Sequence, residues 1–203
     1  GCTLSLGHNT QEYCVMGEVG AIYGVRLYKL EIGKNSTSLK NYSLYNCYSM
    51  ASVTLPATIS ELGSYTFQNC YSLGSLVIPK SVTSTGFYSL GFCYSLGSLV
   101  IPNSMKSIGG YTLYPNKARS SLIIPKSVTS IGAAAFADGI GTGYYDFSHH
   151  TVVPTLANAD AFKGIPFDCK IIVPDALYDE WVAATNWSTY SDYIIKKTDW
   201  DNR

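Results

Sequence analysis

Residues 64–86 read SYTFQNCYSLGSLVIPKSVTSTG, and residues 87–109 read FYSLGFCYSLGSLVIPNSMKSIG. The two stretches have equal length and share the run CYSLGSLVIP at the same internal position. A stretch that returns after 23 residues indicates a tandem repeat, and a period of this size decides the whole fold.

The same 23-residue step extends beyond these two stretches. It predicts four strict units, at residues 41–63, 64–86, 87–109 and 110–132. The residues that mark the step are Pro56, Pro79, Pro102 and Pro125, Cys47, Cys70 and Cys93, and Gly63, Gly86, Gly109 and Gly132.

Each unit carries the pattern L-x-x-L-x-L or a close variant, as in Leu73, Leu76 and Ile78. This is the leucine-rich-repeat signature, in which a short strand and a turn recur every ~20–29 residues. The pattern predicts an α/β repeat solenoid whose strands form a parallel sheet on one face, with short helical, 3-10 or irregular segments on the other. A single unit cannot bury its apolar side, so stability comes from stacking.

The repeat becomes irregular at both ends. We expect irregular units at 1–40 and 133–174, which complete a solenoid over 1–174, and a capping segment at 175–203. Within 133–174, the glycine-containing stretch ADGIGTGYYDFSHH predicts a surface loop. Asp175 has N-cap chemistry before ALYDEWVAAT, which predicts a short helix that covers the open end of the core.

Composition excludes several function classes. The 14 basic residues balance the 14 acidic ones, which argues against nucleic acid or an anionic membrane as the partner. No apolar run reaches the ~18 residues of a membrane span, so we expect no membrane insertion by this chain. The partial unit near the N-terminus leads us to expect that the chain is cut from a longer protein, so the lack of a signal-peptide pattern says little about location.

Alternation along the strand SLVIP predicts a binding surface. If Leu76 and Ile78 point into the core, Val77 points outward. Contiguous exposed apolar residues often mark interaction sites, although strand propensity alone also explains valine and isoleucine there. The predicted outward positions are Glu31, Thr54, Val77, Val100, Ile123 and, at the irregular end, Val152 and Ile172. The candidate binding face consists of Thr54, Val77, Val100, Ile123 and Val152.

Two tyrosine ladders accompany this face, and we expect them on the convex side or its edges. Amphipathic rings suit protein or carbohydrate partners, but packing of each ring on the next unit's ring explains the ladders equally well. The ladders are Tyr42, Tyr65, Tyr88 and Tyr111, and Tyr48, Tyr71 and Tyr94.

No set of residues predicts catalysis, a metal or a cofactor. Cys47, Cys70 and Cys93 should stack about a strand spacing (~5 Å) apart; a disulfide is conceivable, but buried structural thiols are the expectation. His149 and His150 lie near Asp138 and Asp146, yet neighbouring residues of a strand point to opposite faces, which argues against shared ligation. The sequence contains no nucleophile-elbow, zinc-protease or phosphate-loop motif.

The units have the form Gly-x-x-x-Phe-x-x-Cys-x-x-Leu-x-x-Leu-x-Ile-Pro-x-x-Val-x-x-Ile, and they resemble the leucine-rich repeats of the bacterial surface-protein BspA family. The resemblance covers roughly Leu27 to Pro174, and VPDALYDEWVAATNWSTYSDYI is similar to the segment that often closes such arrays. It implies a non-enzymatic, secreted or cell-surface protein of a host-associated bacterium that adheres to host or microbial proteins. Glycan binding by the tyrosine ladders and a structural spacer role remain alternatives.

Overall fold

The computed structural model describes residues 28–116, 121–139 and 143–203 as a solenoid of short parallel strands with a few short helices. The predicted leucine-rich-repeat solenoid is therefore confirmed. The first part of the irregular N-terminal unit lies outside the described residues.

One strand per turn contributes to the main sheet, and each is three or four residues long. Consecutive strands pair in parallel, with Ser75 beside Ser98 and Val77 beside Val100. The pairing forms two four-stranded pieces, one ending at the third strict unit and the other beginning at the fourth. The strands are β1 (Lys29–Glu31), β3 (Ser52–Thr54), β5 (Ser75–Val77), β6 (Ser98–Val100), β8 (Ser121–Ile123), β10 (Tyr144–Asp146), β12 (Lys170–Val173) and β13 (Ile194–Lys196).

A second set of two-residue strands follows the proline of the repeat. Isolated bridges from Leu62 to Thr85 and from Ser84 to Ser107 connect the two groups that these strands form, so this side of the solenoid is continuous. The strands are β2 (Ser38–Leu39), β4 (Glu61–Leu62), β7 (Ser107–Ile108), β9 (Ser130–Ile131) and β11 (Thr155–Leu156).

The remaining side of each turn is a turn segment with its own ladder of backbone bonds, which we call the turn ladder. Leu44 N–H donates to the Thr66 carbonyl at 2.9 Å, and Leu90 N–H donates to the Thr112 carbonyl at 3.0 Å. Two positions per turn have positive φ, a conformation that costs a non-glycine residue energy unless its surroundings hold it. The first is Tyr42, Tyr65, Tyr88, Tyr111 and Ala134, and the second is Asn46, Asn69, Phe92 and Asp138.

The repeated glycine allows the turns to approach each other closely. A Cβ on Gly86 would lie 2.4 Å from the Ser64 backbone nitrogen, and one on Gly109 would lie 2.4 Å from the Thr85 carbonyl oxygen. Only a residue without a side chain fits such an approach.

Apolar side chains of all three sides fill the interior, and Leu73, Cys70 and Leu90 are fully buried. Toward the C-terminus, aromatic rings replace the aliphatic stack: Phe147 packs edge to face on Trp181 and Trp187, with ring centroids 5.5 Å apart in each pair. Full burial of one such side chain contributes about 1.5–3 kcal/mol, which makes this aromatic cluster a strong closure of the core.

The predicted surface loop at 137–150 is partly wrong. Tyr144–Asp146 forms strand β10, and Tyr145 and Phe147 are buried in the core. The alternation of Tyr145 and Phe147 inward with Asp146 outward is ordinary strand chemistry that the glycines before it obscured. Residues 140–142 lie outside the described residues.

The C-terminal segment covers the open end, but it is more than a helix. A 3-10 turn, Asp175–Leu177, leads into α1 (Tyr178–Ala183); a second 3-10 segment, Trp187–Tyr193, precedes strand β13, and the chain continues into α2 (Lys197–Asp201). Asp175 does not cap α1, because it is the first residue of the 3-10 turn; its carboxylate instead accepts hydrogen bonds from the backbone N–H and the hydroxyl of Thr198.

Candidate binding face

The predicted apolar stripe lies on the exposed side of the main sheet. Val77 is 66% exposed, Val100 53% and Ile123 60%, while Leu76 between its neighbours is buried at 2%. Thr54 continues the row toward the N-terminus and is also exposed. We use "apolar stripe" for Val77, Val100 and Ile123.

Two of the predicted outward residues are not on the exposed sheet face. Val152 is exposed, but it follows the turn after β10, and Asp146 takes the sheet position beside Ile123. Ile172 has the expected register, beside Asp146, yet it is buried. Helix α2 contacts β12, the strand of Ile172, and the ring centroids of Trp200 and Tyr144 lie 5.0 Å apart. The chain's own C-terminus therefore lies on the sheet where Ile172 would otherwise be exposed.

The main sheet is interrupted in the middle of the stripe. Ile78 N–H donates to the Val100 carbonyl at 3.3 Å, and Ile124 N–H donates to the Asp146 carbonyl at 2.9 Å. Ile101 occupies the same repeat position as these two isoleucines, but among the described residues it forms no such bond to Ile123. Leu55 at the same position also lacks the bond, but its strand β3 still pairs with β5 through Ser52 and Ser75. Strands β6 and β8, in contrast, form no pairing with each other in the described chain. They therefore leave unpaired edges toward each other, and we call the space between them the sheet gap.

The sheet gap is a cavity of about 640 Å³. It reaches the core, since the inward-facing Leu99, Ile101 and Leu122 line it, and Leu99 and Ile101 are only partly buried. Its rim carries one lysine, Lys126, and the exposed His149, and no acidic residue lines it in the described part of the chain.

The fourth strict unit departs from the repeat in chemistry, though its length is regular. Pro115 stands where Asn46, Asn69 and Phe92 adopt positive φ, and a proline ring fixes φ near −65° and removes the N–H. The turn ladder shifts by one residue as a result, and Asn116 N–H donates to Asp138 instead. This change precedes the strand that fails to pair, and Pro115 is the departure from the repeat that is visible in the sequence here.

The tyrosine ladders are stacks of rings. Tyr42 and Tyr65 have centroids 4.7 Å apart and nearly parallel planes, and Tyr88 and Tyr111 are 4.6 Å apart. In the second ladder, Tyr71 lies 5.0 Å from Tyr48 and 5.2 Å from Tyr94, and all three rings are exposed. Each ring covers a face of its neighbour, so packing between units accounts for both ladders.

The cysteine ladder consists of buried thiols, at Cys47, Cys70 and Cys93. The Cys70 and Cys93 thiols donate to the carbonyls of Leu44 and Phe67, each at 3.2 Å. A hydrogen bond with Cys47 and burial raise the pKa of Cys70 well above its usual range. In the next unit Asn116 fills the cysteine position, and its Nδ2 donates to Leu90 at 2.9 Å.

His149 and His150 point in different directions, although they follow β10 in a turn and not in a strand. His149 is exposed at the sheet gap, while His150 is buried against Phe147 and Trp181. Burial lowers the pKa of His150, whose Nδ1 lies 3.1 Å from the Phe147 carbonyl. Across the described ranges, no group of three histidine, cysteine or acidic residues could hold a metal ion.

Cys169 is also a buried thiol, and burial raises its pKa to about 12. Cysteine reactivity requires a thiolate, which this environment disfavours. No helix in the described part of the chain is long and apolar enough to cross a membrane.

Comparison with known proteins identifies the repeat. The model of the BspA type leucine-rich repeat region matches residues 19–141 in six copies. A comparison with curated protein sequences found no significant match.

Several solved structures are similar to this chain. A leucine-rich repeat protein of T. pallidum is 16% identical with a TM-score of 0.54, over 76% of this chain and 82% of that one. The pneumococcal vaccine antigen PcpA is 15% identical with a TM-score of 0.53, over 85% of this chain and 60% of that one. A leucine-rich cell surface protein of Faecalibacterium prausnitzii is 22% identical with a TM-score of 0.49, over 76% of this chain and 48% of that one. The first two similarities show a shared fold.

Proposed function

We propose that this chain, which belongs to the BspA-type leucine-rich repeat family, is a non-enzymatic binding module that contacts other proteins through the exposed face of its main sheet. The observation that carries the proposal is the apolar stripe. Val77, Val100 and Ile123 share one repeat position and are each more than half exposed, and nothing in the described chain covers them. Val77 and Val100 are paired in register, and Ile123 continues the row on the other side of the sheet gap.

The C-terminal end of the same sheet supports this proposal. There the face carries Ile172 and Tyr144, and the chain covers them with α2 and Trp200. The chain therefore buries the apolar sheet face at its C-terminal end. The apolar stripe ends two strands before β12 and is left uncovered, so it is a suitable contact for another protein. Family membership supports location at the cell surface or outside the cell, and PcpA, of similar fold, is a vaccine antigen.

Cell attachment tests the proposal. Beads coated with the protein are applied to cultured epithelial cells, and the triple variant Val77→Glu, Val100→Glu, Ile123→Glu is compared with the wild type. Charges on a contact surface oppose its desolvation, so we expect attachment to fall at least about tenfold while thermal unfolding changes little.

A matched control carries the same three charges away from the stripe. Ser60, Thr83 and Thr129 share one repeat position and are all exposed. Their replacement by glutamate should leave attachment unchanged. Attachment that survives in the stripe variant, or is lost equally in the control, contradicts the sheet-face assignment.

Glycan binding is the second candidate, and the exposed ladder Tyr48, Tyr71 and Tyr94 favours it. Carbohydrate-binding rings need an open face, and here neighbouring rings cover each other. A glycan-array screen with the wild type and Tyr71→Leu decides this point. Glycan binding that is lost in Tyr71→Leu would favour the glycan-binding function over the protein-binding one.

A further inference from the structure

The sheet gap differs from the rest of the main sheet because it holds two strand edges where the other turns hold a bonded pair. An unpaired strand edge presents N–H and C=O groups that bond readily to another extended chain. Water can bond to these groups where the gap is open, but one extended chain that replaces the water would satisfy both edges at once.

The edges run in the same direction, since every described pairing in the main sheet is parallel. One extended chain placed between them could bond to both at once, with the usual spacing of ~4.8 Å to each side. The cavity volume lies within the ~300–1,000 Å³ that ligand sites occupy.

The side chains around the gap define what such a chain must carry. Leu99 and Leu122 form the inner surface, and Val100 and Ile123 flank the outer opening. Both surfaces are apolar, so alternating apolar side chains suit both faces of an inserted strand. Lys126 stands at the end of the gap that follows β8, with His149 nearby and no acidic residue in the described lining to neutralise it.

We propose that the sheet gap binds an extended peptide segment of a partner protein, which adds a strand between β6 and β8 and places an acidic residue beside Lys126. The inference rests on the proposed protein-binding function and specifies its mode. Recognition by strand addition takes affinity from main-chain hydrogen bonds and selectivity from side-chain pockets.

Binding of a defined peptide tests the proposal. The probe is a fluorescein-labelled peptide Gly-Ser-Leu-Val-Ile-Pro-Glu, which repeats this chain's own segment 97–102 and ends in glutamate. We expect a saturable rise in fluorescence anisotropy with the intact chain. The same peptide N-methylated at Leu and Ile cannot donate those backbone hydrogen bonds, and we expect at least about tenfold weaker binding from it.

Two lysines of the same repeat position provide the matched protein variants. Lys80 and Lys126 each follow the repeat proline, but only Lys126 lines the gap. Lys126→Glu should weaken binding of the glutamate peptide by about threefold to fivefold, in line with an exposed ion pair, and should favour a peptide that ends in lysine. Lys80→Glu should change neither.

Amide exchange locates the bound peptide. Peptide binding should slow hydrogen exchange at Ile101 at least about tenfold and leave Ile78 unchanged, because Ile78 is already bonded to Val100.

Several outcomes would overturn the proposal. These are equal binding of the N-methylated peptide, equal effects of the two lysine variants, or no binding of the glutamate peptide at all. If the stripe variant still loses cell attachment when one of these results is found, the proposed function stands, and only the strand-insertion mode is rejected. A shift of the chain to a dimer, with Ile101 protected at high protein concentration, would assign the gap to a second copy instead.

Discussion

At the scale of single residues, one repeat position contains both a satisfied and an unsatisfied hydroxyl. Thr66 donates to the Gly63 carbonyl at 2.7 Å, and Thr112 donates to Gly109 at 2.8 Å. Ser89 fills the same position in the intervening unit, is equally buried, and its hydroxyl oxygen has no hydrogen-bond partner.

This difference predicts opposite effects of removing the two hydroxyls. Thr66→Val should lower the free energy of unfolding by about 1 kcal/mol, since it deletes a buried hydrogen bond and leaves a carbonyl without it. Ser89→Ala should be neutral or stabilising, because an unpaired buried hydroxyl has a desolvation cost. Urea unfolding followed by circular dichroism measures both; a Ser89→Ala loss as large as that of Thr66→Val would show that Ser89 is bonded.

The buried His150 makes stability depend on pH. Burial lowers the pKa of His150 in the folded chain below its usual value of 6.5, so the unfolded chain binds the proton more tightly. The stability that neutral His150 contributes is therefore fully present above about pH 6.5, and the free energy of unfolding should fall as the pH drops below this value. Asp146 opposes and His149 adds to this lowering, but desolvation dominates.

Thermal unfolding at pH 7.5 and pH 5.5 checks this expectation. The wild type should lose melting temperature at the lower pH, and His150→Phe should lose less. His149→Asn, at the exposed neighbour, should behave like the wild type. An equal loss in wild type and His150→Phe would assign the pH dependence to other groups.

At the scale of elements, the contact between successive turns depends on the repeated glycine. A Cβ at Gly86 would meet the Ser64 nitrogen at 2.4 Å, whereas one at Gly74 would find its nearest atom, the Ala51 oxygen, at 4.0 Å. Neither glycine has a positive φ, so the space alone distinguishes them.

We therefore expect Gly86→Ala to destabilise the chain by about 1–3 kcal/mol through overpacking against backbone that cannot move aside. Gly74→Ala should be neutral or slightly stabilising, since it reduces the entropy of the unfolded chain. Chemical unfolding midpoints measure both effects. Similar midpoints for the two variants would mean that the turns separate at little cost.

Element by element, the sequence predicted the strands of the strict units well, because the period of 23 and the alternation around Leu76 repeat unambiguously. It failed where tertiary contacts decide. Ile172 has outward register, but α2 returns from a distant part of the chain to cover the sheet there. Glycines before Tyr144 favoured a loop, yet Tyr145 and Phe147 find the core.

The candidate site shows the same division between local and tertiary information. The exposure of Val77, Val100 and Ile123 was predictable, since strand alternation sets which side each residue faces. The sheet gap was not predicted, although Pro115 is visible in the sequence. Its effect depends on a position that requires positive φ, and this requirement appears only in the folded backbone.

At the scale of the whole molecule, the three sides of the solenoid are not equally continuous. The turn ladder links the third and fourth strict units through Leu90 and Thr112, and β7 links to β9. Among the described residues, only the main sheet is divided between these two units. Two sides of the solenoid are therefore continuously bonded there, while the exposed face has an opening, as the proposed binding function requires.

This arrangement predicts that Ile101 differs from Ile78 and Ile124, which share its repeat position. Ile78 and Ile124 donate their backbone N–H to the next turn, and Ile101 does not. Amides without a bond exchange with solvent through small local fluctuations, whereas bonded ones in a packed sheet require larger opening. In the free chain, Ile101 should exchange at least about tenfold faster than either neighbour, as measured by nuclear magnetic resonance in deuterated buffer. Equal protection of all three amides would mean that β6 and β8 pair in solution. Both the sheet gap and the strand-insertion proposal would then be wrong, because no unpaired edges would remain. The apolar stripe would still be continuous and exposed.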